Sequence, residues 1–214
     1  MDCTNIEFVV TDERDIEEAT RLSCQHGIKT MYVPSEQVRF AALCRQMVGS
    51  KHKIYALVDW PKGDIRGTNK FQGTKTDFFF ADGYDVILSP ITNESDIILE
   101  VKNIHTFIRG MISNIADICF TVNVSSRNDD DLKILAKTFR EHQPSRIKLE
   151  SLTKLQPSKA NIKTHEYFIN LLGGICKIPI IICGNIDVNI YKQLKLHKMA
   201  VSVEQFKGLK NELA

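Results

Sequence analysis

Short apolar runs rich in β-branched residues alternate along the chain with longer segments whose apolar residues recur every three or four positions. The first run is Ile6-Glu7-Phe8-Val9-Val10. Thr11-Asp12-Glu13-Arg14 then reads as a helix start with acids suited to the first turn, and Gly27 reads as its stop. A second run, Thr30 to Val33, ends at Pro34; Ser35 is expected to cap a helix with Val38, Ala41, Ala42 and Met47 on its buried face and Gly49 at its end. Ile54 to Val58 is the third run, followed by the loop Asp59 to Asp64 and a weaker helical segment over roughly 71–82. Asp85 to Leu88 is the fourth, with a long helix from about Glu94 to Asn114 behind it. Ile118 to Val122 precedes a helix over Asp129 to His142, signalled by Asn128-Asp129. Arg146 to Leu149 precedes a helix over about Lys159 to Ile175. Pro179 to Cys183 leads into Gly184-Asn185-Ile186-Asp187, read as the opening of another helix. Ala200 to Val203 is the eighth run, with a short helix after it and Lys207 to Lys210 read as a solvated tail.

Strands that alternate with helical segments imply βαβ units and a parallel sheet. Eight units is the count of a (β/α)8 TIM barrel, here a compact α/β domain over residues 1–214. A doubly wound open sheet is the alternative, but nothing in that architecture favours stopping at eight. No linker, low-complexity stretch or internal repeat interrupts the pattern.

Charge and composition narrow the function. The 28 Lys+Arg against 26 Asp+Glu give +2, which argues against a dedicated nucleic-acid binder. The longest apolar runs, such as Ile178 to Cys183, are too short to span a bilayer, and the first residues lack a secretory pattern. The six cysteines form no C-x-x-C pair, so they read as reduced, mostly buried thiols of a cytoplasmic protein. The six histidines show no i, i+4 pair and read as surface residues. Asp129-Asp130-Asp131 reads as the acidic first turn of a helix, offsetting its dipole, in preference to a metal cluster.

In a barrel, chemistry sits at the C-terminal ends of strands. Along Arg146-Ile147-Lys148-Leu149-Glu150 the apolar pair must face the helices, which turns Arg146, Lys148 and Glu150 to the lumen or its mouth. Burial is expected to depress the Lys148 amine, and a lysine of depressed pKa is a nucleophile for carbonyl carbon. Asp85, at the start of the fourth run, is placed to shuttle protons for a carbinolamine, or else is a turn residue. Gly184 and Asn185 before a helix, with the Ser202 hydroxyl on the neighbouring strand, form the candidate phosphate site.

With those residues in place, the chain resembles the deoxyribose-phosphate aldolases, class I aldolases built on a (β/α)8 barrel. The likeness runs in order from about Asp15 to Phe206. Ala19 to Gly27 with Met31-Tyr32-Val33-Pro34 looks like the family's first helix and second strand, and Ala56 to Gly63 like its third strand and aromatic-Pro-x-Gly loop. Gly83 to Leu88 is similar to the segment of the catalytic aspartate. Arg146 to Ser151 falls on the strand of the Schiff-base lysine, and Gly184-Asn185-Ile186 where the family has Gly-Gly-Ile. The resemblance implies reversible cleavage of 2-deoxyribose 5-phosphate to glyceraldehyde 3-phosphate and acetaldehyde. Lys148 would form the imine, Asp85 would move protons through a water, and Gly184, Asn185 and Ser202 would hold the phosphate. The implied partner is a small phosphorylated sugar or aldehyde; no cofactor, metal, nucleic acid or membrane is implied, and a homo-oligomer fits as well as a monomer.

Two departures bear on activity. The family's second lysine, which lowers the nucleophile's pKa, is replaced by Ile181 in Ile180-Ile181-Ile182. The small hydroxylated residues after the Schiff-base lysine are replaced by Leu149-Glu150, and a carboxylate there would favour the ammonium. A catalytically degenerate barrel kept as a structural or interaction module is therefore the alternative. A third reading is a phosphate-binding barrel that works through carboxylates.

Overall fold

The computed structural model describes residues 5–59, 63, 65, 67–71, 80–90, 93–112, 114–150, 159–173, 178–183, 194 and 198–213. Eight strands pair in parallel in chain order: β1 (Ile6–Val9), β2 (Thr30–Pro34), β3 (Lys53–Val58), β4 (Gly83–Ile87), β5 (Asp117–Asn123), β6 (Arg146–Glu150), β7 (Ile180–Cys183) and β8 (Lys198–Val201). β1 closes on β8, with Ile6, Glu7 and Phe8 opposite Met199, Ala200 and Val201. The (β/α)8 barrel expected from the alternation is the fold. Around it lie α1 (Ile16–His26), α2 (Val38–Met47), α3 (Glu94–Phe107), α4 (Asp129–His142), α5 (Lys159–Gly173) and α6 (Val203–Leu213).

Local signals set most boundaries. Asp12 accepts the Arg14 N–H at 3.0 Å ahead of α1, and Gly27 ends that helix at φ 68°, a conformation glycine adopts without strain. Asn128 Oδ1 accepts the Asp131 N–H at 2.9 Å, so the three aspartates open α4 as its acidic first turn. The apolar stripe Leu132, Leu135, Ala136 and Phe139 then faces the barrel, where Phe139 stacks on Phe120 of β5.

Several expectations shift. Ser35 donates to Glu36 and caps no helix; the chain makes a short 3-10 turn there before α2. Met47 is 85% exposed, outside the buried face of α2. α3 gives way to a π turn at Ile108–Ile112. β8 starts two residues early, and α6 begins at Val203, because β1 supplies its pairing edge at 199–201. The supposed tail is helical: Phe206 is buried against Phe8, and Lys207 pairs with Glu18 at 2.9 Å. A 3-10 turn at Gly67–Phe71 follows β3, and residues 72–79 of the helical segment expected over 71–82 lie outside the described residues. The helix expected after Gly184 also lies outside them.

The strands bury both faces, as a covered parallel sheet requires. Phe8, Met31, Ile54, Val86, Phe120, Ile147, Ile182 and Met199 face the helices in the main core. Val9, Tyr32, Tyr55, Leu57, Cys119, Ile181, Cys183 and Ala200 form a separate cluster in the lumen. Gly83 makes room for it: a Cβ there would lie 2.7 Å from Tyr55 Cε1 and 2.8 Å from the Asp117 carbonyl oxygen. Cys44, Cys119 and Cys183 are buried free thiols, whereas Cys24 is exposed.

Two histidines read as surface residues are buried instead, His52 and His165. His52 Nδ1 meets Ser50 Oγ at 2.8 Å, its Nε2 has no hydrogen-bond partner, and Arg45 donates to its carbonyl at 3.1 Å. Burial, helped by Arg45 and opposed by Asp82, pushes the ring from the usual 6.5 to about 4. The folded protein keeps His52 neutral where the unfolded chain would take a proton, so stability falls as pH drops from 6.5 towards 4. The loss is about 3 kcal/mol at most. His52→Asn is expected to remove that slope from urea midpoints measured across the window.

Candidate functional site

The lumen is polar along much of its length, and its charges are arranged in levels. At the N-terminal floor, Glu7 of β1 is fully buried. Its Oε1 accepts from Arg146 of β6 and from Lys198 of β8, each at 2.7 Å, and its Oε2 accepts the Tyr32 hydroxyl at 2.6 Å. Burial pushes this carboxyl up, but Arg146, Lys198 and the bonds from Lys198 and Tyr32 more than offset it, so Glu7 sits below the ordinary glutamate value. Beside it Asp117 accepts from Lys53 at 2.6 Å and from the Tyr55 hydroxyl at 2.7 Å. The Arg146 guanidinium lies 4.8 Å from the Tyr55 ring centroid, and the Tyr32 and Tyr55 rings are 5.2 Å apart.

Above this floor sits the pair the sequence reading singled out. Lys148 of β6 and Asp85 of β4 are both fully buried, and Lys148 Nζ donates to Asp85 Oδ2. Thr121, on β5 between them, donates to Asp85 Oδ1 at 2.5 Å. The Tyr32 ring lies 4.3 Å from Lys148 Nζ, so the ammonium rests on an aromatic face whose hydroxyl is anchored by Glu7. Asp85 is therefore a lumen residue and no turn residue. The expectation of a depressed Lys148 is overturned. Burial does push the amine down, but Asp85, aided by Cys183 and Cys119, outweighs it and holds Lys148 above the ordinary lysine value.

Glu150 lies at the C-terminal end of the same strand, 5% exposed, and its Oε2 has no hydrogen-bond partner. Burial, with a smaller contribution from Asp85 and against the pull of Lys148, pushes its carboxyl up to about 7. Burial thus favours the protonated form of the carboxyl that sequence alone set beside Lys148.

The other candidates divide. Gly184 and Asn185 lie outside the described residues. Ser202 stands between β8 and α6 with both its groups engaged: its Oγ accepts the Gln205 N–H at 3.2 Å, and its own N–H donates to Gln205 Oε1 at 3.0 Å. That reciprocal capping box uses one lone pair of the hydroxyl on the helix, and the O–H can still donate. Ile181 is fully buried beside Lys148 and Lys198 on the neighbouring strands. The lysine that follows it in the lumen, Lys198, is committed to Glu7 on the floor.

A second buried network, unsignalled in the sequence, braces the rim. Lys70 Nζ reaches Asp59 Oδ2 at 2.7 Å and Ser89 Oγ at 3.1 Å, and Ser89 Oγ meets Glu100 Oε1 at 2.7 Å. Asp59 takes the left-handed conformation at φ 60° to turn the chain out of β3. Gly63 follows, where a Cβ would come within 2.6 Å of Ile87 Cγ2. Among the described residues no group of three or more His, Cys, Asp or Glu is placed to hold a metal ion. Nor, among them, is any helix long and apolar enough to cross a membrane.

No protein-family model matches the chain, and no curated protein matches it either. Solved structures do. The aldolase QR15 superposes with a TM-score of 0.73 at 17% identity, over 99% of this chain and 97% of that one. The tetrameric deoxyribose phosphate aldolase of Aeropyrum pernix superposes with a TM-score of 0.69 at 14% identity, over 97% and 91%. This chain shares their fold. At such identities the likeness is one of architecture, and what the barrel does has to be argued from its own lumen.

Proposed function

We propose that this barrel is a class I aldolase, with Lys148 as the imine-forming amine and Asp85 as its proton acceptor. The contact of Lys148 with Asp85, sealed in the lumen with Thr121 orienting the carboxylate, carries the reading. The ammonium–carboxylate pair is the resting form; passing one proton along the hydrogen bond to Asp85 gives the neutral amine, a transfer helped by burial, which penalises both charges. The neutral amine then attacks the aldehyde carbon, the proton held by Asp85 passes to the oxygen, and the Asp85 carboxylate takes a second proton from the nitrogen to leave the neutral carbinolamine. The substrate class is a small aldehyde or phosphorylated sugar, with 2-deoxyribose 5-phosphate cleaved reversibly to glyceraldehyde 3-phosphate and acetaldehyde. Gly184 and Asn185 would bind the phosphate through their backbone amides, with the Ser202 hydroxyl beside them. The free buried thiols fit a cytoplasmic, reducing setting, and self-association belongs to the same reading.

The test is reductive trapping. The protein is incubated with acetaldehyde and borohydride, then read by intact mass and peptide mapping. An ethyl adduct on Lys148 is the expected result, and its absence from folded protein overturns the reading. A second reading has one observation in its favour: Asp85 holds Lys148 as the ammonium, with no lysine at 181 to oppose it. On that reading the barrel is a degenerate scaffold for binding. Ile181→Lys separates the two, because a cation beside Lys148 disfavours its ammonium. Trapping at neutral pH is expected to speed up on the order of tenfold in an aldolase and to stay absent in a scaffold.

A further inference from the structure

Among the buried polar atoms left without a hydrogen-bond partner, two fall at register-paired positions at the C-terminal end of the lumen. These are Glu150 Oε2 on β6 and Asn123 Oδ1 on β5. Folded proteins rarely leave such atoms unpaired, since each forfeits its hydration for nothing in return. Two side by side, a carboxyl oxygen and an amide oxygen, describe a place that a hydroxyl-bearing molecule completes. Glu150 is also two residues beyond Lys148 on the same face of β6, hence about 7 Å further towards the mouth. The ligand met there is the one bonded to Lys148. We propose that Glu150 is a catalytic acid–base for the carbinolamine and imine steps at Lys148, with Asn123 accepting a hydroxyl of the bound molecule. The inference rests on the aldolase reading and extends it to a carboxyl that takes the place of the hydroxylated residues expected after the lysine.

The step balances as follows. In the carbinolamine the former carbonyl carbon carries OH and the Lys148 nitrogen. Protonated Glu150 gives its proton to that hydroxyl, the C–O bond breaks and water leaves. The nitrogen lone pair closes the C=N bond, yielding a protonated imine and the Glu150 carboxylate. On hydrolysis the carboxylate takes a proton from the attacking water, and the sequence runs backwards. Asp85, occupied by Lys148 and Thr121, serves the amine, while Glu150 serves the oxygen.

Among the described residues, the groups that face Glu150 are Lys148 on its own strand, Asp85 two strands away on β4, and the Asn123 amide and Cys183 thiol at its level on β5 and β7. With the carboxyl pushed up to about 7, the wild-type trapping rate with acetaldehyde is expected to show an inflection near pH 7. Glu150→Gln keeps the shape and cannot titrate. It is expected to lack the inflection and to trap on the order of a hundredfold more slowly, with Lys148 still the labelled residue. Thermal unfolding checks that the variant folds. Should it not, Glu150→Asp decides: a slower rate with the inflection kept supports the assignment. Wild-type rate and pH profile in either variant overturn the role of Glu150 and leave the aldolase reading standing. No adduct in the wild type at any pH overturns both.

Discussion

Lys148→Ala is expected to give no borohydride-stable adduct and to cost the barrel about 3–5 kcal/mol of stability. The two effects have different origins. The first is chemical: Lys198 and Lys53 are held at the N-terminal floor by Glu7 and Asp117, away from the mouth, and Lys53 is exposed there. The second is electrostatic. Removing the amine leaves the Asp85 carboxylate fully buried and without a counter-charge, with the Thr121 hydroxyl as its remaining hydrogen-bond partner among the described residues. A paired replacement tells them apart. Lys148→Met with Asp85→Asn removes both charges while keeping an oxygen to accept from Thr121, and neutral replacements of a buried ion pair are often tolerated. That double variant is expected to recover most of the stability and none of the adduct. If Lys148→Ala still traps aldehyde on a lumen residue, another amine is the nucleophile and the reading of the site is wrong. Chemical denaturation and peptide mapping of the same preparations supply both measurements.

The lumen was only partly legible before the fold. Alternation along Arg146 to Glu150 is enough to turn Lys148 inward, because an apolar pair between three charged residues leaves the strand one way to face. For Asp85 the same parity leaves two readings open, a lumen residue or a turn residue after Gly83-Tyr84, and the fold decides for the lumen. What parity cannot supply is the partner. Burial by itself argued for a depressed amine, and only the closure of β4, β5 and β6 into one wall shows that Asp85 reverses the sign. Glu7 was wholly unread: a glutamate between Ile6 and Phe8 looks like the solvent side of a half-buried strand. Its partners arrive from 139 and 191 residues away, across the seam that only a closed barrel makes. The same seam explains the early start of β8, whose boundary is set by pairing with β1 and not by its own apolar run. The burial of His52 is hidden for a related reason, since a short segment between Gly49 and β3 carries no periodicity to reveal that it is covered.

Glu7 supports the second large effect. Glu7→Gln is expected to lower stability by about 3–5 kcal/mol, since it leaves Arg146 and Lys198 without their shared counter-charge while both stay mostly buried. For a chain of this length that corresponds to a fall in the melting temperature of roughly 10 °C. The pH dependence follows from the direction of the shift. The folded protein holds Glu7 below its unfolded value, so the stabilisation is present above the unfolded value and is lost as pH falls through the folded one. Glu7→Gln removes that acid-side loss, so wild type and variant are expected to converge in stability as the solution is acidified. The substitution also reaches the site. The Tyr32 hydroxyl is fixed by Glu7, and the Tyr32 ring lies 4.3 Å from the Lys148 amine. A glutamine can still accept from Tyr32, but it cannot hold two cations against the floor, and repulsion between Arg146 and Lys198 is expected to displace the ring. Trapping at Lys148 should then slow even at temperatures where the variant is fully folded. If the variant melts as the wild type does, the floor charges are solvated in solution and Tyr32 is held by packing alone.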